Sequence, residues 1–85
     1  MENDKEQKNF KIVVNGEEEI VSKERLTFAE VLDLAFPPPR TTPDKDYSIT
    51  YKHAKSVPHH GQLHLGGVVE VKNGTSFDVT PTTKS

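Results

Sequence analysis

The first regular pattern along the chain is an alternating segment that ends in a turn. In Phe10–Val14, the side chains of Phe10, Ile12 and Val14 recur at every second position, which is the period of a strand with one buried face. Asn15-Gly16 follows directly, and this pair favours a tight hairpin turn because both residues tolerate positive φ. The chain is therefore predicted to open with a β-hairpin.

The returning strand of this hairpin, residues 18 to 22, can pair with the first strand in two registers. A two-residue turn pairs Ile12 with Glu19, whereas a three-residue turn with a glycine bulge pairs Ile12 with Ile20 and Val14 with Glu18. A shift of one residue turns the whole face of a strand over. We favour the second register, because it places both isoleucines in the core.

A helix is predicted over residues 28 to about 36. The Thr27 hydroxyl can accept from an amide in the first turn, and Glu30, three residues later, can accept from the Thr27 amide, which together form a capping box. Pro37-Pro38-Pro39 ends the helix sharply, because proline cannot donate to the helical ladder. The apolar stripe of the helix consists of Phe28, Val31, Leu32 and Ala35.

The second half of the chain contains further alternating segments separated by glycine turns. Tyr47–Lys52 is predicted as a strand, and Gly66-Gly67 and Asn73-Gly74 are predicted to turn or bend the chain. The predicted buried positions are Tyr47, Ile49, Tyr51, Leu63, Leu65, Val69, Val71, Phe77 and Val79.

A hairpin, one helix and then further strands form an α+β arrangement of the β-grasp type, in which a mixed sheet of four or five strands wraps one helix. Residues 10 to 79 are predicted to form this single domain. Residues 1 to 9 are predicted to be a flexible arm, and residues 80 to 85 a flexible tail, because neither segment offers enough apolar surface to offset the entropy of ordering it.

Composition narrows the function further. The chain has 85 residues and a net charge of −2, from 11 basic and 13 acidic side chains, so it lacks the positive field that nucleic acid or an anionic membrane surface would require. It contains no cysteine, which excludes disulfides and thiol chemistry. The polar N-terminal segment is neither a signal peptide nor a membrane span. We expect a cytoplasmic protein.

The histidines are the strongest candidates for a metal site. His59, His60 and His64 lie close in sequence, and imidazole is a common zinc ligand. No cysteine, aspartate or glutamate lies between Lys55 and Val69 to complete the ligand set. No nucleophile motif and no phosphate-binding glycine loop is present. We therefore predict no metal, no cofactor and no catalytic site.

Three segments of the chain carry a family resemblance: Phe10-Lys11-Ile12-Val13-Val14-Asn15-Gly16, Tyr47-Ser48-Ile49-Thr50-Tyr51 and Val69-Glu70-Val71-Lys72-Asn73-Gly74-Thr75-Ser76-Phe77-Asp78-Val79-Thr80. They resemble the bacterial multiubiquitin family of ubiquitin-like domains, and the resemblance spans about residues 10 to 85. It implies a β-grasp protein modifier, encoded beside an activating enzyme, a conjugating enzyme and a JAMM-type metalloprotease that serve as its partners.

The C-terminus departs from the usual pattern of a modifier. A modifier is activated by adenylation of its terminal carboxylate, and a terminal Gly-Gly suits this step because it lacks Cβ atoms. Three alternatives remain: the enzymes of the family accept an end other than glycine, a longer precursor is trimmed elsewhere, or the domain binds partners without ever being conjugated. Gly66-Gly67 is a turn and not a processing site, because cleavage there would remove the last strands. The predicted conjugation tail is Thr80, Pro81, Thr82, Thr83, Lys84 and Ser85.

The outer face of the predicted sheet is polar if the strand residues named above point towards the helix. Ubiquitin receptors usually dock on an apolar patch, so such a face should not attract them. The alternative function is a non-covalent adaptor, bound through its sheet or by β-strand addition at an edge. A sulfur carrier is disfavoured by Ser85, since it needs a terminal glycine. The predicted partner face is Lys11, Val13, Ser48, Thr50, Lys52, Glu70 and Lys72.

Overall fold

The computed structural model describes residues 8 to 82. This part of the chain forms seven β-strands, one α-helix and a short 3-10 helix, Asp44–Asp46. The elements in chain order are β1 (Phe10–Val14), β2 (Glu17–Val21), β3 (Arg25–Thr27), α1 (Phe28–Ala35), β4 (Tyr47–Lys52), β5 (Gly61–Leu63), β6 (Val68–Glu70) and β7 (Ser76–Pro81). No helix among the described residues has the length and apolarity that crossing a bilayer requires.

Five strands form one mixed sheet in the order β2-β1-β7-β4-β5, and β3 pairs with β6 in a separate two-stranded sheet. β7 runs parallel to β1 and antiparallel to β4, so the last strand of the chain lies in the middle of the large sheet. This mixed sheet with one helix confirms the predicted α+β ubiquitin-like β-grasp fold.

The core lies between the helix and the inner face of the large sheet. Leu32 of α1 and Ile49 of β4 are both fully buried, as their positions in the sequence patterns predict. Thr75 is the buried polar side chain of this part of the chain, and its hydroxyl donates to the His53 carbonyl over 2.8 Å. The buried apolar side chains are Ile12, Val14, Leu26, Phe28, Val31, Leu32, Ile49, Ala54, Leu63, Val69, Val71, Phe77 and Val79.

The helix begins with the predicted capping box. The Glu30 amide donates to Thr27 Oγ1 over 3.2 Å, and the Thr27 amide donates to Glu30 Oε1 over 2.9 Å. These two bonds satisfy donors that have no partner inside the helix. The helix ends at Ala35, where the Phe36 amide still donates to the Leu32 carbonyl over 2.8 Å before the prolines begin.

The predicted hairpin register is wrong. β1 pairs with β2 so that Ile12 lies opposite Glu19 and Ile20 lies opposite Lys11. The turn is the strict two-residue type: Asn15 and Gly16 both have positive φ, 53° and 83°. The Asn15 amide side chain also holds β7, because its Oδ1 accepts from the Val79 amide over 2.8 Å. The preference of Asn15-Gly16 for a two-residue turn therefore decides the register, although the other register would bury Ile20 as well as Ile12.

The prediction that Leu65 is a buried strand residue is also wrong. β5 ends at Leu63, and the turn that includes Gly66 begins immediately, with the Gly67 amide donating to the His64 carbonyl over 2.8 Å. Leu65 is therefore exposed. A Cβ atom on Gly67 would lie 3.0 Å from the same carbonyl oxygen, which explains why glycine occupies this position.

The last strand continues past the predicted end of the domain at Val79. Thr80 pairs with Ser48, Pro81 pairs with Tyr47, and the Thr82 amide donates to the Asp46 carbonyl over 2.6 Å. The predicted lack of an anchor after Val79 therefore does not hold for residues 80 to 82. Residues 1 to 7 of the predicted arm and residues 83 to 85 of the predicted tail lie outside the described residues.

Candidate functional site

The C-terminal segment, residues 80 to 85, begins within β7, the central strand of the large sheet. β7 is hydrogen-bonded to a neighbour on each side, β1 and β4. The chain then passes Thr82, which is held by the carbonyl of Asp46 at the end of the 3-10 helix. Of the predicted conjugation tail, Thr80, Pro81 and Thr82 are thus bound to the body, and Thr83, Lys84 and Ser85 lie outside the described residues.

One arginine, Arg40, connects α1 and the residue after it to the 3-10 helix that holds Thr82. Arg40 Nη1 donates to Asp33 Oδ1 over 2.7 Å and to the Phe36 carbonyl over 2.8 Å, and Nη2 donates to Asp44 Oδ1 over 2.9 Å. The side chain is only 13% exposed. Its hydrogen bonds, to Asp33 first and then to Asp44, raise the pKa of the guanidinium. Arg40 therefore fixes the proline crossover between α1 and the element that holds Thr82.

The outer face of the large sheet gathers most of the predicted partner residues. Lys11 and Val13 of β1, and Ser48, Thr50 and Lys52 of β4, alternate with buried inner-face residues. β7 lies between these two strands, so its outward side chains complete the surface. Those side chains are Ser76, Asp78 and Thr80.

Glu70 does not belong to this face. It lies in β6, where it pairs with Arg25 of β3 across the small sheet, and the two side chains form an ion pair of 3.3 Å between Nε and Oε2. The sequence pattern predicts a strand that continues past Glu70, but β6 ends at Glu70; the chain then turns at Asn73-Gly74, as predicted, where Gly74 has a φ of 99°. Lys72 follows β6 outside any strand, and it lines a cleft shared with Lys52.

The outer face also carries an apolar patch that was not expected. Because Ile20 lies opposite Lys11, its side chain points outward, and it is 60% exposed. Together with the half-buried Val13 it lines a shallow cleft of about 480 Å³, with Glu18 beside it. β2 is an edge strand of the sheet. The signal that could have located this patch is the preference of Asn15-Gly16 for a two-residue turn.

Comparison with protein families agrees with this architecture. A family model described as multiubiquitin matches residues 10–83. The chain belongs to the multiubiquitin family. The matched region includes every strand of the large sheet and the held C-terminal residues up to Thr82. No curated protein and no solved structure matches the chain significantly. The chain is therefore a ubiquitin-like domain.

The surface charges of this multiubiquitin-family domain are partly paired. Lys55 donates to Glu24, and this hydrogen bond lowers the pKa of the Glu24 carboxyl and raises that of Lys55. Lys23 donates to Glu30, which lowers the pKa of Glu30 together with the Thr27 amide. The first pair connects the loop after β4 to the segment just before β3. The second pair connects the first turn of α1 to the same segment.

Three of the four histidines of the multiubiquitin-family domain, His53, His59 and His60, line one cleft, and His64 lies outside it. His59 and His60 line the cleft at the end of β4, whereas His64 lines a different cleft beside Tyr47. One ring nitrogen of His59, Nδ1, lies 3.0 Å from the Ala54 carbonyl and donates to it. Within residues 8 to 82, no group of three or more metal-ligating side chains is placed to hold an ion.

Proposed function

We propose that this multiubiquitin-family domain is a cytoplasmic bacterial protein modifier. In this proposal its C-terminal segment is delivered to an activating enzyme and a conjugating enzyme, and a JAMM-type metalloprotease removes it. The observation that carries the proposal is the position of β7, which connects the middle of the sheet directly to the C-terminal segment. A protein modifier needs a rigid domain that presents one end of its chain for covalent attachment.

The chemistry requires only the terminal carboxylate of the domain. One carboxylate oxygen attacks the α-phosphorus of ATP and pyrophosphate leaves; a nucleophile of the activating or conjugating enzyme then attacks the acyl carbon of the adenylate, so that AMP leaves and the acyl group is transferred. The reacting group is the carboxylate of Ser85, or one exposed by trimming within residues 83 to 85. Because Thr82 is hydrogen-bonded to Asp46, a carboxylate beyond Thr82 can be reached without opening the sheet.

The proposal is tested by a truncation that spares the body. Removing residues 83 to 85 leaves every hydrogen bond of the described residues in place, so the thermal midpoint should stay unchanged. Incubation with ATP and the activating and conjugating enzymes encoded beside the gene should produce a covalent adduct from the full chain only. Denaturing electrophoresis measures this. An adduct that forms equally well from the truncated chain contradicts the proposal.

A second candidate function, a non-covalent adaptor, is favoured by the outer apolar patch. Ile20 is exposed beside Val13 on the edge hairpin, and such positions are suited to strand addition by an extended peptide. Ile20→Thr removes the apolar anchor but keeps the branched shape that strands favour.

The two functions predict opposite results for the same two variants. A modifier loses its adduct on truncation and keeps it with Ile20→Thr. An adaptor binds the conjugating enzyme equally well after truncation, forms no ATP-dependent adduct, and binds more weakly with Ile20→Thr. Isothermal titration of each variant against the conjugating enzyme, beside the electrophoresis, separates them.

A further inference from the structure

A cleft of about 780 Å³ lies where β4 ends, and it shares no lining residue with the cleft beside Ile20. Its wall combines the Tyr51 ring and Ala54 with several basic groups. We call it the histidine cleft. It is lined by Thr50, Tyr51, Lys52, His53, Ala54, His59, His60, Gly61 and Lys72.

The loop that forms this cleft is held in one shape by its own hydrogen bonds. His53 adopts a positive φ of 61°, and its carbonyl accepts from the buried Thr75 hydroxyl over 2.8 Å. The Ala54 amide donates to the His59 carbonyl over 2.9 Å, and the His59 ring donates back to the Ala54 carbonyl over 3.0 Å. Because these bonds close the loop, the basic groups on its rim are presented without a large ordering cost on binding.

The lysines of the cleft are available for a ligand. No ion pair among the described residues engages Lys52 or Lys72, whereas the neighbouring Lys55 is paired with Glu24. No described residue that lines the cleft carries a carboxylate; Asp78, on the adjacent strand β7, is outside the lining. The cleft is therefore a local cationic site on a domain whose net charge is −2.

We propose that the histidine cleft binds a short acidic segment of a protein partner. The lysines and imidazoles come from three separate stretches of chain, residues 52–53, 59–60 and 72, which suits a ligand that carries several carboxylates along an extended backbone. The half-buried Tyr51 ring adds apolar contact area between the charges. Complementary charge of this kind increases the association rate and selects the partner. The site acts independently of conjugation through the C-terminal segment.

The probe is a blocked hexaglutamate peptide, titrated into the isotopically labelled full chain at low salt and followed by amide and side-chain NMR shifts. Saturable shifts should be concentrated at Lys52, His53, His60 and Lys72, and added salt should weaken them because the groups are exposed. A double variant, Lys52→Gln with Lys72→Gln, should bind about 2- to 30-fold more weakly, as expected for the loss of two exposed ion pairs.

The matched control, Lys8→Gln with Lys45→Gln, removes the same charge from exposed positions outside the cleft and should keep the native affinity. Thermal melts verify that both double variants are folded. The shift map of the unmodified chain locates the binding site even if a double variant does not fold. An equal loss in both double variants indicates attraction to net charge alone and overturns the proposal. It is also overturned if the peptide does not bind, or if inorganic phosphate saturates the cleft and the peptide does not compete.

Discussion

The two isoleucines of the hairpin provide a direct test of its register. Ile12 is fully buried on the inner face, whereas Ile20 is 60% exposed on the outer face. In the register that buries both isoleucines, the same substitution would have similar effects at the two positions. In the observed register the effects should differ severalfold. The matched pair is Ile12→Thr and Ile20→Thr, since threonine keeps the branched shape and the strand propensity.

The magnitudes follow from burial. Replacing isoleucine by threonine removes about two carbon groups, worth roughly 1.6 kcal/mol when fully buried at ~0.8 kcal/mol each. At Ile12 the new hydroxyl is also buried, which adds about 1 to 3 kcal/mol. The total is about 2.6 to 4.6 kcal/mol. At Ile20 only about two fifths of the side chain is hidden and the hydroxyl reaches water, so the cost is roughly 0.6 kcal/mol.

Urea denaturation measures both values. With a slope of about 1 kcal/mol per molar urea for so small a domain, the midpoint should fall by about 0.6 M for Ile20→Thr. It should fall by more than about 2 M for Ile12→Thr, which removes a large share of the ~4 to 13 kcal/mol expected for 85 residues. Equal midpoint shifts at the two positions would refute the two-residue turn and the outer apolar patch.

Three further predictions concern the core, the helix start and the crossover. Leu32→Ala should cost about 2 to 5 kcal/mol, because Leu32 is fully buried in the core; a thermal melt that barely moves would contradict this. The pKa of Glu30 lies below its ordinary value of 4.5, so its contribution is present above about pH 4.5 and is lost as the pH falls through the lower folded pKa. Glu30→Gln should therefore destabilise the domain near pH 7 and have no effect near pH 2, and an equal effect at both pH values would exclude this linkage. Arg40→Ala should lower the thermal midpoint and speed hydrogen exchange at the Thr82 amide. An unchanged exchange rate would show that the crossover between α1 and the 3-10 helix does not stabilise the hydrogen bond of Thr82.

Local signals in the sequence predicted the local structure well. The bounds of β4 and the capping box of Thr27 and Glu30 agree with the structure, because each depends on residues only a few positions apart. The buried stripe of α1 follows from its period in the same way, although Ala35 is only half-buried at the end of the helix.

The errors arise where two physical preferences compete or where pairing is distant in sequence. At the hairpin, the turn preference of Asn15-Gly16 opposed the burial of Ile20, and a shift of one residue reversed the exposure of the strand. The pairing of β3 with β6, which removes Glu70 from the outer face, joins segments more than forty residues apart. Alternation alone carries no information about which distant strand becomes the neighbour.

The C-terminal segment illustrates the same limit. Residues 80 to 82 have little apolar surface, so composition predicts a mobile tail. Main-chain hydrogen bonds do not depend on side-chain polarity, however, and the segment continues the pairing of β7 with β4 to Pro81 and then reaches Asp46. The C-terminal segment is therefore held against the domain as far as Thr82, which the pattern of apolar residues could not indicate.

The most direct test of the proposed modifier function is the mass and linkage of the ATP-dependent product. The full chain is incubated with its activating enzyme, its conjugating enzyme and ATP, and the product is measured intact and then digested for tandem mass spectrometry. The proposal predicts an adduct whose mass is the sum of the two proteins less one water. Its linkage should join the carboxylate of Ser85, or a carboxylate exposed within residues 83 to 85, to the acceptor. A product linked through a side chain of the domain, or no product under conditions in which the conjugating enzyme still binds, would contradict it.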